Sequence, residues 1–475
     1  MFRRRTSEGR GCMARHSRRR FLAAAGATAA AAKLGLLDFA SSLFAQEAKP
    51  AGKPLVKVVF VRPDKEPVVS WPGGNCDVPA QQALFTRTLE AAAKKLDVHL
   101  DIRHEPLNKP ADIAALLDSL KKSPPDGLLV GAMSLFFWKP VNEIVAKRPD
   151  DLPTIVYSHV TGFTKHLQCG RNTPKTFLGA THEVEWLATA VRMFHTIWQM
   201  KNTRILMLRS PGKDLTLKPW GTVIHPIDRR RFAEELKKVE ATDEVRAMAD
   251  LYARNAAKIV EPSKEEILTA AKNYFVCRRL MKAEDCHGIT IACLGWKDPV
   301  CMAFSRLLDE GIVGGCECDL NAVVSELLSI HLLGRPGFIQ DPSPNTVNNT
   351  LIGAHCTSPT RLEGIEAPYR APYWLRSYHT RTGCSMQVLW PVGRQVTVLQ
   401  ANARGGGIWV GTGRVRSNIP QPPTGCCRTA VEVELDNVAD TRDVKGFHQL
   451  FLLGRHERTL RAYAKLAGVP IAPIA

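Results

Sequence analysis

The sequence predicts an α/β protein in three parts: two doubly wound α/β domains, then a small antiparallel β domain with a C-terminal helix. Three observations carry this. Between residues 55 and 158, short apolar runs alternate with helix-period segments, the pattern of parallel βαβ units. The alternation resumes from about residue 177 to 342. After about residue 345, Thr, Val and Gly dominate and helical periodicity stops, which is the texture of antiparallel strands.

In the first domain, residues 46–175, strands are expected at 56–61, 98–102, 127–131 and 154–157, with helices near 81–95, 111–121 and 140–147. In the second, residues 176–344, a helix at 183–199 feeds a strand at 204–208. A helix-rich stretch from 229 to 282 then leads to a strand at 288–294. The last domain, residues 345–475, should hold strands at 395–401, 407–410 and 430–435. Its closing helix, 455–467, is stopped by Gly468 and Pro470.

Residues 1–45 read as a targeting segment. Ser17, Arg18, Arg19, Arg20, Phe21 and Leu22 form a twin-arginine pattern ahead of an Ala- and Gly-rich run, with a small-residue cleavage site before Gln46. The expectation is export by the twin-arginine machinery to the periplasm or beyond. Lys33 and Asp38 interrupt the apolar run, which argues against a permanent membrane span. This segment carries nine Lys and Arg against two Asp and Glu, so the net charge of +18 falls to +11 without it. The remainder has no basic run longer than Arg229, Arg230 and Arg231 and no interleaved aromatic platform, which excludes a nucleic-acid-binding reading.

Twelve of the thirteen cysteines lie beyond residue 45. Most, including Cys293, Cys301, Cys316 and Cys356, sit in apolar strand or helix contexts, where buried free thiols are expected. The pairs Cys316/Cys318 and Cys426/Cys427 lack the two-plus-two CxxC layout of a zinc knuckle.

The most informative stretch, 289–337, reads strand, Asp298, helix, strand (312–318), Asp319, helix (320–333), with Gly334 and Pro336 as the stop. A helix carries the chain down the sheet and the next strand carries it back, so both aspartates should emerge at one carboxyl edge, where open α/β sheets bind ligands. Two carboxylates there can hold a hard divalent cation, and one can move a proton on a bound polyol. Two ordinary helix N-caps would give the same spacing.

The segment Cys316, Glu317, Cys318, Asp319, Leu320, Asn321, Ala322, followed by Phe338, Ile339, Gln340, Asp341 and by His355 and Cys356, resembles the L-fucose/L-arabinose isomerase family. Gly446, Phe447, His448 and Gln449 look like that family's Gly-x-His element. The resemblance spans about residues 289–472. It implies a divalent metal, manganese in that family, and aldose–ketose isomerisation of a pentose or deoxyhexose through an ene-diol. By position it implies Asp298 and Asp319 as catalytic carboxylates, and Asp298, Asp319 and His448 as metal ligands. It also implies Glu317, Asp341, His355 and Trp296 as substrate-binding residues, and a homo-oligomer. Asp298 is one methylene shorter than the family's glutamate at this position, an offset of about 1 Å that can lower a rate on the order of a hundredfold. The alternatives are an exported sugar-binding protein and an inactive isomerase homologue.

Overall fold

Near-continuous runs of Val, Leu and Ile dictate strands buried on both faces, and these form the centre of the first sheet. It holds β1 (Leu55–Val61), β2 (His99–Arg103), β3 (Gly127–Ala132), β4 (Thr154–Ser158) and β5 (Thr176–Ala180), all parallel, in the order β2-β1-β3-β4-β5. Every residue of β3 and β4 is buried. Helices α1 (Val78–Leu96), α2 (Pro110–Lys122) and α3 (Trp138–Lys147) connect these strands, as the sequence predicts to within a few residues. The computed structural model describes residues 50, 52–64, 68–69, 75–159, 162–296, 299–378, 381–420 and 426–475. The twin-arginine segment and Asp298 lie outside them.

Helix α4 (Trp186–Asn202) leads to the second sheet, made of β6 (Arg204–Arg209), β7 (Leu215–Thr216), β8 (Val223–Asp228), β9 (Gly288–Ile291) and β10 (Gly314–Cys316). Its order is β10-β9-β6-β8-β7, parallel except for the short edge strand β7. Helices α5 (Arg230–Lys238), α6 (Asp243–Asn255) and α7 (Lys264–Ala283) lie between β8 and β9. A reciprocal cap starts α7: the Ser263 hydroxyl accepts from the Glu266 amide at 3.2 Å, and the Glu266 carboxylate accepts from the Ser263 amide at 2.8 Å. Ser263→Ala removes one half of that exchange and is expected to destabilise the chain by about 1 kcal/mol, read as a lower urea midpoint.

Two departures from the expected elements shape the site. The helix expected to open at Asp298 and Pro299 instead begins at Cys301 as α8 (Cys301–Asp309). The Asn273 side-chain amide donates to the Pro299 carbonyl at 3.0 Å and ties that turn to α7. Strand β10 stops at Cys316, two residues short of the expected end, because Glu317 and Cys318 both adopt left-handed φ angles of 61° and 57°. No strand continues through that conformation.

Helix α9 (Leu320–Leu333) has the predicted bounds and ends on Gly334 in the left-handed region. It is buried on nearly all sides. It packs on α4 and on two strands of the third sheet, β13 (Gln395–Ala401) and β16 (Gln449–Leu453). Ser325 and Asn321 of α9 accept hydrogen bonds from the Ala401 and Ala403 amides at 2.7 and 2.9 Å. The helix that follows Asp319 therefore docks the third sheet on the second.

That third sheet is a six-stranded antiparallel barrel. It joins β11 (Phe338–Asn345), β12 (Thr350–His355), β13, β14 (Ile408–Asn418), β15 (Thr429–Leu435) and β16 in the order β13-β16-β11-β12-β15-β14, and β13 pairs with β14 to close it. Strand β14 runs well past the expected 407–410. Gly411 and Gly413 hide its alternation in the sequence. A side chain at Gly413 would meet the Glu434 carbonyl at 2.2 Å, so only glycine allows this approach to β15. Helix α10 (Glu457–Ala467) follows, with Gly468 left-handed at its end, and a last short strand, Ile471–Pro473, adds to the sheet parallel to β14. One contiguous apolar core links Val56 and Phe85, Ile205 and Val323, and Leu399 and Leu450, so all three sheets share it. No described helix is long and apolar enough to cross a membrane.

Candidate metal centre

Three neighbouring barrel strands, β16, β11 and β12, present one residue each at the same end. Gln340 pairs with Gln449, so the next residues outward, Asp341 and His448, stand side by side. Asp341 in turn pairs with Ala354, which brings in His355, the last residue of β12. Opposite this end is the turn Glu317, Cys318, Asp319 at the carboxyl edge of β10. Antiparallel register and the docking of α9 thus bring together residues that lie up to 131 positions apart in the sequence.

The imidazoles are buried and the carboxylates are partly exposed. His448 Nε2 lies 3.0 Å from Asp341 Oδ1 and 3.7 Å from Glu317 Oε2, and His355 Nε2 lies 3.9 Å from Glu317 Oε1. One potential ligand atom each from Glu317, His355 and His448 falls within 4.8 Å of the others. A cation about 2.0 to 2.6 Å from each donor fits such a triangle. Asp341 Oδ1 and His448 Nε2 are buried atoms that, among the described residues, make no hydrogen bond of ordinary geometry despite their proximity. That is the state of donors arranged for something other than each other.

Asp319 plays a different part. Its Oδ1 accepts from the Asn321 and Ala322 amides at 2.7 and 3.1 Å and caps α9. Its Oδ2 lies 2.9 Å from His448 Nδ1. Both oxygens are engaged, and the second fixes the imidazole so that Nε2 faces the gap, which is how metal-ligating histidines are commonly held.

Electrostatics fit a cationic guest. Burial alone would lower the His448 pKa, but the hydrogen bond with Asp319 and the close negative charges of Asp319 and Asp341 raise it to about 9. Burial pushes the Glu317 carboxyl up. His448 opposes that shift, while Asp341 and Asp319 add to it. Asp341 is held below the ordinary carboxylate range, since contact with His448 and the charges of both histidines outweigh its burial. Three carboxylates around one imidazolium leave an excess of negative charge that a divalent cation would offset.

The backbone is also constrained here. Glu317, Cys318 and His448 all have φ between +52° and +61° without being glycine. Such conformations persist where surrounding structure enforces them, and they concentrate at functional sites.

Of the residues singled out in the sequence, the structure gathers Glu317, Asp319, Asp341, His355 and His448. It places Glu317 and His355, expected at the substrate, on the cation triangle, and Asp319 behind His448. Trp296 packs its ring on Phe232 with centroids 5.2 Å apart. Asp298 lies outside the described residues. The hairpin turn between 345 and 350 was the available signal for His355, because it returns the chain beside Asp341.

The fold and site define a mixed α/β protein joined to an antiparallel barrel, with a candidate Glu-His-His cation site where the two meet. No protein-family model matches this chain, and no curated protein matches it.

Proposed function

We propose that this protein is a divalent-cation-dependent aldose–ketose isomerase acting on a pentose or deoxyhexose. The observation that carries the proposal is the convergence of Glu317, His355 and His448. The Glu317-to-Ala322 segment that resembles sugar isomerases enters the same turn, and this supports the reading.

Glu317, His355 and His448 hold the cation, and the nearby Asp341 is available to it. Two imidazoles with carboxylates suit manganese, iron, nickel or zinc. The bound cation supplies positive charge that stabilises the enediolate developing on the sugar. The protein supplies the proton transfer. Glu317, whose carboxyl burial pushes above its ordinary value, is suited to take a proton from one sugar carbon and return it to the next while the hydroxyl proton passes between the two sugar oxygens, so no atom is gained or lost. Asp341, the most exposed of the cluster, contacts sugar hydroxyls. His355 and His448 stay fixed while Asp319 orients His448. In the same proposal the chain is exported by the twin-arginine pathway and assembles with copies of itself.

The test is metal analysis and manganese calorimetry on the purified chain, with aldose-to-ketose conversion followed over a panel of pentoses and deoxyhexoses. The expected result is stoichiometric cation binding and conversion that chelator abolishes. A chain that binds no cation and converts no sugar ends the proposal. Tight sugar binding that ignores chelator, without turnover, would replace it with a sugar-binding function.

A further inference from the structure

Beside the cation triangle lies a group of thiols that the proposed chemistry does not use. Cys316 precedes Glu317 and Cys356 follows His355. Every described cysteine is a free thiol. Cys301 and Cys356 pack with Tyr378 in one small cluster, and Cys427 rests against it. Within that cluster the Cys356 thiol lies beside those of Cys301 and Cys427, while Cys293 and Cys316 lie beside each other.

The three clustered thiols differ in access. Cys301 and Cys356 are 3% and 1% exposed, whereas Cys427 is only half-buried. Cys356 and Cys427 lie one and two residues past the last paired position of β12 and β15, His355 with Thr429, so the two thiols sit on adjacent antiparallel chains where Cys427 packs against the cluster that holds Cys356. A bond between the adjacent Cys426 and Cys427 would instead distort the peptide between them.

We propose that Cys427 and Cys356 form a redox-modification site, in which Cys427 meets a small external disulfide and Cys356 resolves the product into an internal Cys356–Cys427 bond. In the first step the Cys427 sulfur attacks one sulfur of the external disulfide. The external S–S bond breaks, one small thiol leaves with the proton given up by Cys427, and a mixed disulfide remains. In the second step the Cys356 sulfur attacks the Cys427 sulfur, the second small thiol leaves with the Cys356 proton, and the internal bond forms. Two electrons and two protons pass to the external disulfide, which is the oxidant. The neighbouring Cys356 thiol and burial push the Cys427 thiol pKa up, which slows the exchange. The proposal stands whether or not the cluster binds a cation.

The test uses the full-length wild-type chain held with excess oxidised glutathione, quenched in acid, alkylated after denaturation and mapped as peptides. The expected result is a linked pair of peptides carrying Cys356 and Cys427, with two alkylatable thiols lost and no glutathione retained. In Cys427→Ser that loss disappears, and in Cys426→Ser it remains. Glutathione that persists on Cys427, a bond joining Cys301 to Cys356 or Cys426 to Cys427, or an unreacted Cys427 would each overturn the proposal. The wild-type map decides even if a variant fails to fold.

Discussion

Replacing Glu326 with methionine stabilises the folded chain, and the gain widens as pH rises. Glu326 sits in the middle of α9 at 0% exposure, and among the described residues neither carboxyl oxygen has a hydrogen-bond partner. Burial drives its pKa well above the ordinary carboxylate value. A neutral carboxyl buried without a partner costs about 1 to 3 kcal/mol, and methionine has a similar length without that penalty. The pH dependence follows from the raised folded-state pKa. Below the unfolded value of 4.5 both states hold the proton and no difference arises. Above it the unfolded chain ionises while the folded chain does not, so stability falls by about 1.4 kcal/mol per pH unit until the folded pKa is reached. Urea midpoints of both proteins at pH 5, 6, 7 and 8 should diverge in favour of Glu326→Met. Parallel midpoints, or a less stable methionine variant, would falsify this.

His331, five residues further along α9, pulls the other way. Burial lowers its pKa to about 3, with His195, Arg192 and His287 adding to the shift. It folds as the neutral form, so it erodes stability as pH falls below about 6.5, where the unfolded imidazole takes a proton. Together the two groups set a stability maximum between mild acid and neutrality. Glu326→Met removes only the alkaline limb.

These residues also show what the sequence could reveal. The bounds of α9 were legible because an N-capping aspartate and a glycine-proline stop bracket one apolar run. The first parallel sheet was legible because its central strands are continuous apolar runs between helical patterns. What Asp319 does with its second oxygen was not legible, since His448 is 129 residues away and spacing says nothing about such a contact. The left-handed turn at Glu317 and Cys318 was hidden for another reason. Non-glycine residues with positive φ carry no compositional signal, so the strand seemed to continue to Cys318. His355 could be flagged as a residue, but its place on the cation triangle depends on barrel register, since β12 pairs with both β11 and β15.

His448→Asn should abolish manganese binding, whereas Asp319→Asn should only weaken it. Asparagine tolerates the φ of +52° at position 448, so the backbone stays in place while Nε2 is lost. Glu317 and Asp341 then face each other without the imidazole that lay between them. The expected loss exceeds about a hundredfold, more than the ~10- to 100-fold that partners behind a ligand contribute. At position 319 asparagine caps a helix as well as aspartate does, so α9 and the urea midpoint should hold to within about 0.5 kcal/mol. What disappears is the carboxylate charge beside His448 Nδ1, and affinity should fall by about 10- to 100-fold. Calorimetric titration of manganese into both variants separates the two roles. If both lose binding equally, Asp319 meets the cation directly, as its position in the isomerase-like segment implies, and the triangle of Glu317, His355 and His448 is not the complete ligand set.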